Sequence, residues 1–212
     1  LIIALQKMKT NDKIIVFMNG VVCMKPIILR SGSPRRKELL EREHYTFEII
    51  VSDIDETMDT KKTPFENVKA LGLKKAAHEQ DKYYGSILIG CDTIVVLDGV
   101  IYGKPKDELD AFQMLKNLSN RTHQVMSGVG IIYKDKVYNF VCVSHVTFKD
   151  LSIEDILNYI KTKECFGKAG SYAIQGIGRN LIQSYEGSLD NIIGLPVAEI
   201  KKVLDEIYAM ED

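Results

Sequence analysis

An aspartate stands in the most apolar run of the chain, Ile87-Leu-Ile-Gly-Cys-Asp92-Thr93-Ile-Val-Val-Leu97. Apolar residues at both parities mean a strand covered on both faces, where an unpaired carboxylate is costly. Asp92 therefore has one of two jobs. Either it caps a backbone bend or pairs with one buried cation, or it faces a cleft at a kink in the strand as a general base or metal ligand.

A second place is Ser31-Gly-Ser33-Pro-Arg35-Arg36, between a short apolar run and a helical stretch. A helix N-terminus presents unpaired amides and a positive dipole end, which hold an anion without any special side chain. Gly32 lets the backbone come close, and two successive guanidinium forks match phosphate oxygens. Arginines in a first helical turn oppose the dipole, so their placement points to a negative group that fills the site. The plain alternative is a pair of surface charges.

Three weaker places remain. Tyr102-Gly-Lys104-Pro105 puts a lysine between a hairpin strand and a helix, and Lys74-Lys75 lies inside a helical stretch. Singly, either is an ordinary solvated charge. The segment Phe166 to Gly178 holds Gly167, Gly170, Gly176 and Gly178, as in a loop where backbone meets a ligand or in a tight packing corner. Common nucleotide and hydrolase signatures fail. There is no Gly-x-x-x-x-Gly-Lys-Ser/Thr loop and no Gly-x-Ser-x-Gly elbow, and Gly176-x-Gly178 lacks the third glycine of a dinucleotide fingerprint. The residues alone define a phosphate-binding α/β protein with a buried carboxylate.

The elements that must hold these places alternate along the chain. Pro26 to Ser31 reads as a short strand, and Ser33-Pro34 opens a helix to about Glu43, with serine as N-cap and proline in the first turn. Phe47 to Val51 is a second strand. A helix is expected from Pro64 to Tyr84, although Gly72 lies inside it. Ser86 to Leu97 turns at Asp98-Gly99 into Val100-Ile-Tyr102 as a hairpin. Asp107 caps a helix whose Leu109, Phe112, Leu115 and Leu118 are expected to face inward. Two long strands, His123 to Tyr133 and Val137 to Lys149, flank a Lys134-Asp135 turn, and Ser152-Ile-Glu-Asp155 opens another helix as a capping box. The last helix runs from Pro196 to Met210 with Val197, Ile200, Val203, Leu204 and Ile207 inward. Residues 26–212 thus read as one α/β unit with two lobes around a cleft.

Residues 1–25 read as an N-terminal extension that adds a strand to the domain. Its apolar patches, Leu1 to Leu5 and Ile14 to Val22, fall short of the roughly 18–20 apolar residues that cross a bilayer. No small-residue cleavage site follows the second patch. The chain of 212 residues has a net charge of -1, which leaves no global basic field for a nucleic acid but permits a small anionic ligand held by a few local cations. Cys23, Cys91, Cys142 and Cys165 form no Cys-x-x-Cys pair, and the four histidines are equally scattered. Neither a disulfide framework nor a structural zinc site is expected, and a reducing cytoplasmic setting is.

Read in order, these places resemble the Maf family. Ser31-Gly-Ser-Pro-Arg-Arg36-Lys-Glu-Leu-Leu40 is similar to its opening signature. Gly90-Cys-Asp-Thr93-Ile-Val, Gly103-Lys-Pro105, Leu118-Ser119 through His123-Gln-Val125, Lys168-Ala-Gly170, Ile174-Gln-Gly176 and Gly194-Leu-Pro196 resemble later blocks. The resemblance implies an inosine-triphosphatase-like α/β fold, a mixed central sheet flanked by helices with a cleft between two lobes. It also implies a pyrophosphatase that depends on Mg²⁺ or Mn²⁺ and splits a nucleoside triphosphate into monophosphate and pyrophosphate.

By position, Asp92 would activate water, and Arg36, Lys75 and Lys104 would bind the triphosphate and stabilise the departing pyrophosphate. Ser31 and Ser33 would add donors, and Glu56 with Asp92 would hold the metal. Arg35, Thr93 and Gln175 resemble the subgroup that acts on dTTP, UTP and modified uridine triphosphates, and Gln175 can both donate and accept along the O4 and N3–H edge of uracil or thymine. The chain departs from the family pattern at Arg30, Leu73 and Gly167. The alternatives are a nucleotide-binding regulator of cell division with little catalysis, a 7-methyl-GTP-preferring pyrophosphatase, and an inosine or xanthosine triphosphate enzyme. No nucleic acid or membrane partner is expected; a homodimer is implied at family level.

Overall fold

The computed structural model describes residues 25–210, and before them only the backbone of residues 6–10, 13–18 and 21–22. Those early segments are β1 (Gln6–Thr10), β2 (Lys13–Met18) and β3 (Val21–Val22), which form an antiparallel sheet of their own. Among the described residues the extension pairs within itself, and none of its three strands joins the main sheet. The Leu1 to Leu5 patch lies outside the described residues.

The main sheet has seven strands: β4 (Ile27–Leu29), β5 (Phe47–Ile49), β6 (Ile87–Leu97), β7 (Val100–Tyr102), β8 (Thr122–Tyr133), β9 (Lys136–Phe148) and β10 (Ile182–Glu186). Their order is β10-β9-β8-β6-β4-β5, with β7 paired to β6. The sheet is mixed: β4 runs parallel to both β5 and β6, while the other pairings are antiparallel. The described residues hold six α-helices: α1 (Pro34–Arg42), α2 (Pro64–Ala77), α3 (Glu108–Leu118), α4 (Ile153–Lys161), α5 (Leu189–Ile193) and α6 (Val197–Ala209). Among the described residues no helix is long and apolar enough to cross a membrane.

Alternation along the strands divides the core into two faces. Ile27, Leu29, Ile87, Ile89, Cys91, Val95, Val129 and Ile131 share a large cluster with Leu39, Leu40, Leu115, Ile156, Ile193, Ile200 and Leu204 from five of the helices. The opposite parity, Ile28, Leu88 and Ile132, then Ile94, Val96 and Met126, packs on α2 through Ala76 and Val68. Helix α2 sits unusually close to the sheet. A Cβ on Gly128 would stand 1.9 Å from the Val68 carbonyl oxygen, and one on Gly90 would stand 2.3 Å from the Ala76 nitrogen. Gly72, the residue that weakened the helical expectation, faces the Gly128 carbonyl, where a Cβ would be 2.3 Å away. The glycines cost helix and strand propensity and permit backbone contact in return.

Two expectations are corrected. Helix α2 ends at Ala77 rather than Tyr84, because Glu79 takes a left-handed φ of 54° and a 3-10 turn, Gln80–Tyr83, follows. The buried Arg30 guanidinium donates to the His78 carbonyl at 2.9 Å and so caps the helix end with a cation. Leu109 is 77% exposed, since it lies in the first turn of α3, off the stripe formed by Ala111, Leu115 and Leu118. Sequence reading also passed over β10 and the five-residue α5, both too short for a periodic signal.

Candidate active site

Strand lengths create the site. Beside β6, β4 pairs only with Ile87 to Ile89, followed by one bond from the Arg30 amide to the Ile89 carbonyl; β7 pairs only with Val95 to Leu97. Between them lies a notch along Gly90 to Ile94. A cavity of about 530 Å³ fills it, within the roughly 300–1,000 Å³ of small-molecule sites. Ser31 to Arg36 reach it from the end of β4, Gly103 and Lys104 from the end of β7, and Gly167 to Ala169 with Tyr172 to Gln175 from the glycine-rich loop.

Parity on β6 sends Asp92 and Thr93 to opposite sides of the notch. Asp92 is on the α2 side, where Lys75 Nζ donates to its Oδ1 at 2.6 Å and to Glu56 Oε1 at 2.8 Å. Lys75 is buried and Asp92 nearly so, whereas Glu56 is half-exposed. Asp92 pairs with a buried cation and also lines the cavity. No bulge interrupts the strand there, since β6 keeps unbroken register with β8 from Leu88 to Val96. Partial burial works against charge on Glu56, but Lys75, with Lys104 and Arg36 behind it, holds its carboxyl below the ordinary range. The loop that carries Glu56 is tied by Lys74, whose ammonium donates to the Asp55 carbonyl at 2.6 Å. It is also tied by buried Asn67, which accepts from the Asp59 amide and donates to the carbonyls of Asp59, Lys62 and Thr63.

On the other side, Arg36 braces the floor. Its Nε donates to the Gly194 carbonyl at 2.9 Å, Nη1 to Ser31 Oγ at 2.9 Å and Nη2 to Thr93 Oγ1 at 3.2 Å. Three of its five N–H groups are engaged, which leaves one on each terminal nitrogen for a ligand. Thr93 is likewise committed, to Arg36, to Ser127 at 2.9 Å and to the Gly194 carbonyl at 3.2 Å. Ser33 occupies the N-cap position of α1, but its hydroxyl makes no capping bond. Arg35 Nε donates to the Ile193 carbonyl at 3.3 Å. Burial, and then neighbouring Arg36, lower its affinity for a proton. Lys104 is exposed at the cavity mouth, and Gln175 is exposed on the wall formed by the glycine-rich loop.

All ten residues singled out in the sequence, Ser31, Ser33, Arg35, Arg36, Glu56, Lys75, Asp92, Thr93, Lys104 and Gln175, therefore line one cavity. Sequence reasoning missed Lys168, a cavity residue whose ammonium donates to the Glu164 and Phe166 carbonyls. Burial, then Arg35, push its pKa down. The signal was its place beside Gly167, which takes a left-handed φ of 71° and fits the glycine found there. Arg30 also reaches the cavity wall but turns its Nη2 toward His78 and its guanidinium over the Tyr83 ring. Six cationic side chains, Arg30, Arg35, Arg36, Lys75, Lys104 and Lys168, surround the cavity against two carboxylates, Glu56 and Asp92. On a chain with a net charge of -1, that local excess defines a site for a polyanion.

A mixed α/β sheet with a cationic, carboxylate-bearing notch is the frame of a phosphate-ligand protein. The family model described as Maf-like protein matches residues 26–207, and the chain belongs to that family. A Bacillus cytotoxicus protein named dTTP/UTP pyrophosphatase is 45% identical over 183 residues, 86% of this chain and 96% of its own. Proteins of the same name from Bacillus cereus and Clostridioides difficile are each 44% identical, over 183 and 187 residues, and again 96% of their own lengths is covered.

Proposed function

We propose that this chain hydrolyses dTTP, UTP and modified uridine triphosphates to the monophosphate and pyrophosphate. The observation that carries the reading is the convergence on one cavity of six cations, two carboxylates bridged by Lys75, and the N-terminus of α1. A triphosphate matches that field in charge. The name shared by the relatives supports dTTP and UTP as substrates.

In this reading Asp92 takes the proton from the water that attacks the α-phosphorus, and Lys75 orients it. Arg36 and Lys104 meet the charge that builds on the departing pyrophosphate, as the amides of the first α1 turn do from the other side. Ser31 keeps Arg36 in place, and Gln175 reads the base edge while Thr93 and Arg35 shape the floor beneath it. Glu56 and Asp92 suit a hard divalent cation, because their oxygens already converge on one ammonium. Among the described residues no third acidic, histidine or cysteine ligand joins them. Mg²⁺ or Mn²⁺ held there would supply charge neutralisation at the phosphates. Cys91, Cys142 and Cys165 are free, which supports a reducing, cytoplasmic setting.

The test is a nucleoside triphosphate panel with Mg²⁺ or Mn²⁺, read for both products. UMP and pyrophosphate from UTP, and dTMP and pyrophosphate from dTTP, are expected. Faster hydrolysis of 7-methyl-GTP than of UTP, or nucleotide binding without turnover of any triphosphate, would overturn the proposal.

A further inference from the structure

Gln175 has neither helix nor strand beneath it; it precedes a 3-10 turn, Gly176–Leu181. What holds that turn is a carboxylate outside the cavity lining. Glu164 Oε2 accepts the Ile177 amide at 3.0 Å, and its Oε1 accepts the Gly178 amide at 2.8 Å. The buried Tyr159 hydroxyl donates to the same Oε1 at 3.2 Å. The Glu164 carbonyl also accepts from Lys168, so one residue ties both arms of the loop. Gly176 takes a φ of 73°, and a Cβ there would stand 2.6 Å from Glu164 Oε2. The turn is built around this carboxylate. An anion that accepts two successive amides at the start of a turn binds more strongly than a neutral acceptor and fixes direction as well.

We propose that Glu164 is the positioning residue for nucleobase recognition: by fixing the turn that follows Gln175, it sets the selectivity of the site for uracil and thymine. The proposal rests on the pyrophosphatase reading and on Gln175 as the reader of the base. It separates the two ends of the substrate. The triphosphate end is held by Arg36, Lys75 and Lys104, none of which is bonded to Glu164, and the cavity cation that is, Lys168, meets only its main-chain carbonyl, which Glu164→Gln leaves in place.

The experiment compares Glu164→Gln with the unaltered protein on UTP and CTP, with inorganic tripolyphosphate as a competitive inhibitor that has no base. Glutamine keeps the shape, yet its NH2 must face one of the two amides. KM for UTP should rise about tenfold while kcat stays within about threefold, and discrimination against CTP should fall by a similar factor. The inhibition constant of tripolyphosphate should not move. An equal loss for UTP and tripolyphosphate, or unchanged discrimination, would overturn the proposal, as would a drop in melting temperature with intact selectivity. Should Glu164→Gln fail to fold, Tyr159→Phe removes a single donor to the same carboxylate and should shift KM in the same direction by about twofold; no shift in KM overturns the proposal. An unaltered protein that splits neither UTP nor dTTP would remove the functional reading and this inference with it. A UTP-active parent with a fully selective Glu164→Gln would remove this inference alone.

Discussion

At Asp92 the ion pair and the cavity compete for the same oxygens, and substitution separates their roles. Asp92→Asn keeps the shape and removes the proposed base, one carboxylate of the proposed metal pair and one partner of Lys75. Turnover of UTP should fall about 10²- to 10⁴-fold, with nucleotide affinity by calorimetry without divalent metal nearly unchanged, since the cavity cations remain. Turnover within tenfold of the parent would exclude Asp92 as the base. Lys75→Met does something different: it leaves two carboxylates facing one apolar tip. Loss of the partner of a buried charge costs about 3 kcal/mol, so denaturant midpoints should drop together with substrate affinity. These residue types were legible from the chain, because a carboxylate in an apolar strand and paired arginines at a helix start are locally unfavourable. Their partners were not, since Lys75 and Asp92 are joined only when α2 lies on the sheet.

Among the elements, α2 decides whether the site exists. Its axis comes near enough for Lys75 to reach Asp92 because Gly72, Gly90, Gly128 and Gly130 carry no Cβ where the helix and sheet backbones meet. Gly128→Ala would drive a methyl into the Val68 carbonyl, so the helix must lift. The expected loss is about 2–3 kcal/mol in urea unfolding, with kcat/KM falling further than the stability loss explains, because Lys75 rises with the helix. A variant that loses stability but keeps its kcat/KM would show that helix height is not what sets the Lys75–Asp92 contact. Strand and helix order was readable from periodicity and caps. Thr63 with Glu66 and Ser152 with Asp155 both close capping boxes, and Asp107 accepts the Asp110 amide. Leu109 was misread because it lies in the first turn of α3, off the buried stripe, and the end of α2 because Arg30, which caps it, is distant in sequence.

Over the whole molecule, buried His123 sets an acid limit. It bonds the Tyr172 hydroxyl at 2.8 Å, packs edge-on against Phe148 and Tyr172, and is pushed down by burial from 6.5 to about 4. The folded imidazole takes a proton only near pH 4, whereas the unfolded one does so near 6.5. Stability is therefore present above 6.5, is lost as pH falls through this window by about 3 kcal/mol, and levels off below 4. Unfolding free energies between pH 7 and 4 should show that slope, and His123→Gln should flatten it; an unchanged slope would assign the acid limit to other groups. The amino-acid sequence by itself determined the alternation of strands and helices, the mixed apolar and charged composition, and which residue types were out of place, because these follow from local propensity and pattern. Only the tertiary structure decided that Lys75 meets both Asp92 and Glu56 while Thr93 meets Arg36. The notch between β4 and β7 arises from strand lengths in the assembled sheet, and contacts across more than fifty residues, such as Arg36 with Gly194, have no local signature.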